Sequence, residues 1–207
     1  MSTETAAPAP EATNPDLPAN PTFWNYVGYW FPHLVAFGYA LVILAAISTQ
    51  FIGTDMPCPL CVLQRMAMML IGIAAIWMVG QARKGMLTLA AYARSYGLMI
   101  VAAMLGATMS TRQIELHILP GDAGYGDAVL GLHLYTWALI TFIVVIAYSA
   151  IMLMFFKPTL PVAPSGNAAL WISRILVWAF IIIIIANVVL IFAEEGFHLY
   201  LPDDPTG

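Results

Sequence analysis

Charge is scarce in this 207-residue chain: 9% of its residues are Asp, Glu, Lys or Arg, while 61% are hydrophobic. A soluble domain is roughly a quarter charged and about half apolar. The shortage excludes a water-soluble globule with one small core, and a lipid solvent accounts for it, because apolar side chains can then face outward. Lys and Arg total seven and form no extended run, so there is no footprint for nucleic acid. The residues before Trp24 contain neither Lys nor Arg, which excludes the basic start of a secretory signal. Residues 1–23, rich in Ala, Pro, Thr and Glu, read as a disordered cytoplasmic tail with too little apolar surface to fold.

What the chain has instead is long apolar runs. A helix needs about 20 apolar residues to cross the hydrocarbon layer, and a helix satisfies its own backbone hydrogen bonds there. Five segments qualify, at Phe31–Ile52, Val62–Gly80, Tyr96–Met109, Val129–Phe156 and Ala169–Ala193, the third with room to extend toward Met86. The expected fold is an all-α, polytopic membrane helix bundle. Arg83, Lys84 and Arg94 lie between the second and third spans, Lys157 between the fourth and fifth, and Arg174 in the opening turns of the fifth. By the bias of basic residues toward the cytoplasm, both loops and the N-terminus face inward. Asp55, Asp122, Asp127, Glu194, Glu195, Asp203 and Asp204 then face outward. Trp24, Tyr26, Tyr29 and Trp30 read as an aromatic anchor ahead of the first span. Ala102, Gly106 and Ser110, four apart, would let a neighbouring helix approach the third span closely. Residues 158–168 read as a Pro-rich cytoplasmic linker, 169–193 as a fifth helix added to a four-helix unit, and 194–207 as an acidic outer tail.

Only two cysteines exist, Cys58 and Cys61, at the outer mouth of the second span. Pro57 and Pro59 hold that stretch extended or turning, and the helix propagates from about Cys61. A cysteine near a helix N-terminus feels the positive end of the dipole, which favours the thiolate, and two thiols this close can form a small, reducible disulfide suited to exchange. A structural zinc site needs four ligands. His117 and His133 could complete one, but no spacing demands it. A c-type haem needs His after the second cysteine, where Val62 stands. A structural disulfide here would staple very little chain, and two inert thiols remain the other bland reading. Arg65 lies inside the second span, four residues after Cys61 and on its helix face. A buried arginine at membrane depth is costly and tends to be functional: it can stabilise a Cys61 thiolate or donate to a carbonyl oxygen of a membrane quinone. Its bland alternative is snorkelling to the headgroups. Gln64 adjoins it. The glycine-rich stretch Gly121–Asp127 lacks the ligand count of a calcium loop and reads as a turn. Met66, Met68 and Met69 read as packing, and Glu115 and His117 as solvated at the interface.

The stretch Cys58-Pro-Leu-Cys61-Val-Leu-Gln-Arg65 resembles the signature of the disulfide bond formation protein B (DsbB) family, Cys-x-x-Cys followed after three residues by Arg at the opening of the second of four spans. Arg112-Gln113, ending at Pro120, resembles that family's exit from the third span. Leu130-Gly131-Leu132 followed by Trp137 resembles its entry into the fourth. The resemblance implies a DsbB-like four-helix membrane domain over residues 24–157 in a bacterial inner membrane, with the Cys pair and the C-terminus periplasmic. It implies that Cys58 exchanges disulfides with a periplasmic thioredoxin-like thiol protein and that Cys61 faces a quinone. Arg65 would hold a quinone oxygen, with Gln64, Gln113 and Arg112 beside it. Three departures stand out: the second cysteine pair of the loop between spans three and four is missing, Gln113 occupies a place where the family often has His, and the fifth span is extra. The expected activity is therefore a membrane thiol–quinone oxidoreductase working with a single dithiol, using ubiquinone or menaquinone from the membrane pool. Membrane lipid is its other partner. The competing readings are a non-catalytic membrane scaffold or complex subunit derived from the same bundle, and a reductase running the electrons the other way.

Overall fold

In the computed structural model the chain is described over residues 14–18, 20–53, 58–119, 124 and 128–195, the side chains of 49–53, 194 and 195 excepted. Among the described residues five helices are long and apolar enough to cross a membrane: α1 (Phe23–Gly53), α2 (Pro59–Arg83), α3 (Leu89–Leu116), α4 (Leu134–Met154) and α6 (Asn167–Glu195), with a single-turn α5 (Phe156–Thr159) between the last two. No strand occurs among the described residues, so the chain is an all-α polytopic bundle. Pro59 opens α2, where its missing N–H costs nothing, and the Thr88 hydroxyl accepts from the Ala91 N–H to cap α3.

Helices α1 to α4 pack around one core. Tyr29, Ile43, Ile71, Met78, Tyr96, Met99 and Phe142 are almost fully enclosed in it. The small-residue stripe of α3 does what its spacing suggests: Ala102, Gly106 and Ser110 are buried, and the Phe142 ring of α4 lies where a side chain on Gly106 would go. Tyr96 and Tyr148 join hydroxyls at 2.9 Å across the α3–α4 seam. Most large side chains on the outer faces, such as Leu70, Leu98, Val144 and Ile182, are exposed, as a lipid solvent permits.

Several sequence expectations shift. Helix α1 begins at Phe23, so the aromatic cluster forms its first turns instead of preceding it. Trp24 and Tyr26 are exposed and suit a membrane interface, whereas Tyr29 is fully buried, because its hydroxyl donates to Ser173 Oγ of α6 at 2.9 Å. Helix α4 starts at Leu134, not Val129: Leu130 and Gly131 take positive φ, turning the chain just before the helix. The expectation of disorder over residues 1–23 fails for residues 14–18. Asn14 Nδ2 donates to the carbonyl of Leu87 at 2.9 Å, and the Asp16 carboxylate accepts from the Leu89 N–H at the start of α3 at 3.1 Å. The remaining tail residues 1–13 and 19, Pro57, most of Gly121–Asp127 and residues 196–207 lie outside the described residues. The linker is no free tether: the Leu160 carbonyl accepts from Asn25 Nδ2 at 2.9 Å, and Gly28 lets the Thr159 backbone lie directly against α1.

Helix α6 docks on α1 and α2, outside the four-helix unit. Its buried polar contact near the Arg83 end is complete. His33 Nδ1 donates to the Tyr29 carbonyl at 2.9 Å, which leaves Nε2 to accept from Ser173 at 2.7 Å, while Ser173 itself accepts from Tyr29. Further along, the Phe180 ring fills the space left by Gly72 of α2.

Candidate thiol and acceptor site

Cys58 is the N-cap of α2, in extended conformation, and its carbonyl accepts from the N–H groups of Cys61 at 2.9 Å and Val62 at 3.2 Å. One helical turn therefore sets the spacing of the two thiols. Both are free and half-buried. The end of α3 supplies a polar lid: Gln113, 1% exposed, directs its side-chain N–H group at Cys61 Sγ (3.4 Å) and toward Cys58 Sγ (3.9 Å). Its oxygen accepts from Gln64 Nε2 at 2.8 Å and lies 3.8 Å from Cys61 Sγ, an arrangement that orients the N–H group toward the sulfurs. Two glutamines from different helices thus fix one N–H group against both sulfurs, where it stabilises negative charge developing on either.

The thiol of Cys58 is pulled down to about 6, first by the Cys61 thiol beside it, against the opposing effect of burial, and further by the Cys61 and Leu60 backbone N–H groups and the charge of His117. Below pH 6 the Cys58 thiol is protonated and inert; above it the thiolate dominates. Alkylation of the reduced protein by iodoacetamide, followed at the Cys58 peptide by mass spectrometry, is expected to rise with a midpoint near pH 6, where an ordinary cysteine titrates near pH 8.5. A midpoint above 8 would refute this activation.

Arg65 lies one turn deeper and is 5% exposed. Its Nη1 donates to Asn187 Oδ1 of α6 at 3.3 Å, so its stem does not carry the charge out to the headgroups as snorkelling requires. The structure thus gathers Cys58, Cys61, Gln64 and Gln113 into one cluster, with Arg65 beneath it on the α6 side. Arg112 stands apart: its side chain is 62% exposed and pairs with Glu115 at 3.6 Å. His117 ends α3 and His133 precedes α4, and both rings stack on the buried Tyr135, at 5.9 and 5.2 Å. Among the described residues no group of three His, Cys, Asp or Glu could hold a metal. The residue that sequence reasoning passed over is Asn187. Its signal was an amide inside an otherwise Ile/Val-rich span, which membrane helices use to bind one another.

Residues 29–125 match the family described as disulfide bond formation protein DsbB. Over that stretch the chain is similar to the DsbB family. The matched DsbB segment holds α2, α3 and every residue of the thiol cluster, while α4 and α6 lie beyond it. The Disulfide bond formation protein B of Chromobacterium violaceum is 37% identical over 89 residues, 43% of this chain, and the match spans 51% of that DsbB's own length. No solved structure matches.

Proposed function

We propose that the protein is a membrane thiol–quinone oxidoreductase that forms a disulfide between Cys58 and Cys61 and passes it to a thiol protein outside the bacterial inner membrane. The observation that carries this reading is the Gln113 amide, oriented by Gln64, lying against both sulfurs at the open end of α2. A purely structural pair of thiols has no use for a donor held in that way.

The exchange step needs only the chain and its substrate. A substrate thiolate attacks Cys58 of the disulfide, the S–S bond breaks, and Cys61 leaves as thiolate beneath the Gln113 N–H. A second substrate thiol then displaces Cys58, leaving a substrate disulfide and two reduced protein thiols. Without a second cysteine pair, the substrate must reach Cys58 directly, and its half-buried position at the helix mouth supports that. Closing the Cys58–Cys61 bond again releases two electrons and two protons. A bound quinone, ubiquinone or menaquinone, would supply the acceptor for both. The donor set suits one: the buried Arg65 guanidinium and the amides of Gln113 and Gln64 are oriented donors for carbonyl oxygens in a site shielded from water. Charge supports the orientation: Arg83 and Arg174 line one groove at the end opposite the cysteines, the end that the bias of basic residues would put in the cytoplasm.

The test is direct. The detergent-purified protein is reduced, freed of reductant and mixed with a short-chain ubiquinone analogue. Two protein thiols are expected to disappear per quinol formed, counted by thiol titration and quinone absorbance. Thiols that stay reduced beside unreacted quinone would sink the enzyme reading and leave the scaffold reading in its place.

A further inference from the structure

Helix α6 lies outside the family-matched segment, yet its buried face ends at Arg65. Ser173, Phe180 and Asn187 are spaced seven apart, return to one side of the helix, and are all almost fully buried. The first two are accounted for by docking, on Tyr29 and His33 of α1 and over Gly72 of α2. Asn187 is different. A buried amide in a lipid-facing helix is costly unless it is paired, and apolar packing would have docked that end of α6 at less cost. Its two halves are instead assigned: Nδ2 faces the Met69 sulfur at 3.5 Å, which turns Oδ1 toward Arg65 Nη1 at 3.3 Å.

The geometry points to Asn187 as a positioning residue: α6 uses its amide oxygen to hold the Arg65 guanidinium one turn below the thiols, so the fifth helix completes the acceptor-binding end of the site. The inference rests on the reading of Arg65 as the anchor of a quinone carbonyl. It gives the extra helix a task within this chain, in place of docking a separate partner.

The experiment uses the full chain in detergent, with a decyl-chain ubiquinone analogue as probe and dithiothreitol as thiol donor. Binding is read as the dissociation constant from quenching of tryptophan fluorescence, and turnover as KM and kcat. Asn187→Leu is expected to raise the dissociation constant and KM together by about tenfold, the scale of a lost hydrogen bond to a charged group, with kcat at saturation nearly unchanged. Asn187→Asp keeps the acceptor oxygen and should restore both values. Ser173→Ala, which loosens the same helix at its other end, should move neither. Should Asn187→Leu fail to accumulate, Asn187→Ser, small enough to fit and too short to reach Arg65, is read on the same two scales. Wild-type binding with the Asn187 variants unmoved overturns this inference alone, as does an equal loss in Ser173→Ala. Wild-type protein that does not bind the analogue overturns the acceptor reading and this inference with it.

Discussion

Cys61→Ser is expected to reduce thiol oxidation to the uncatalysed background, a loss of at least about a thousandfold, on the scale seen when a covalent nucleophile is removed. The proposed cycle has no bypass. The chain holds only two cysteines, so one missing sulfur leaves no partner with which the other can close a disulfide. Serine is close in size, and Gln113 retains its bond from Gln64, so the bundle should stay intact. Cys58 also remains, still at the N-cap of α2, and should form a mixed disulfide with an aromatic disulfide reagent, releasing one thiolate per protein. The pairing of lost turnover with retained single exchange is what distinguishes a severed relay from a misfolded one. Turnover above about a tenth of wild type, measured by thiol titration and quinone absorbance, would show that the Cys58–Cys61 disulfide is not the working group.

Arg65→Leu has the second largest expected effect. The guanidinium is buried at membrane depth, where a hydrogen bond to a charged donor contributes about 1.5–3 kcal/mol. Losing it should raise KM for the quinone analogue roughly ten- to a hundredfold. The same change leaves Asn187 Oδ1 without the Arg65 donor, so a stability loss of about 1–3 kcal/mol is expected as well, read from thermal unfolding in detergent. Arg65→Lys separates the two effects. It keeps the charge and loses the planar fork, so KM should fall between wild type and Arg65→Leu. A KM within twofold of wild type in Arg65→Leu would reduce Arg65 to a tie between α2 and α6.

Much of this was legible in the chain because the physics is local. Spans follow from runs of apolar residues, and five of them were placed within a few residues to a turn or two of the helices found. The other differences have two kinds of cause, one local and one not. Leu130 and Gly131 adopt positive φ, which ends the fourth apolar run early. Tyr29 was assigned to an interface because aromatic residues gather there, and its buried partner Ser173 is 144 residues away. Asn14 and Asp16 look like tail residues until the α2–α3 loop is beside them.

The sequence by itself determined the membrane class, the helical fold and the pairing of two thiols across one turn, with an arginine one turn further in. Each depends on periodicity or on spacing within a single helix, where 3.6 residues per turn fixes which side chains are neighbours. Tertiary structure alone decided which donors reach those groups. Gln113 faces the sulfurs while its neighbour Arg112 points outward to Glu115, because successive helical residues point about 100° apart and only packing on α2 selects which of them turns inward. Asn187 meets Arg65 across 122 positions of sequence for the same reason: a seven-residue stripe on α6 shows that one face is special, but only the docked helix shows what that face holds.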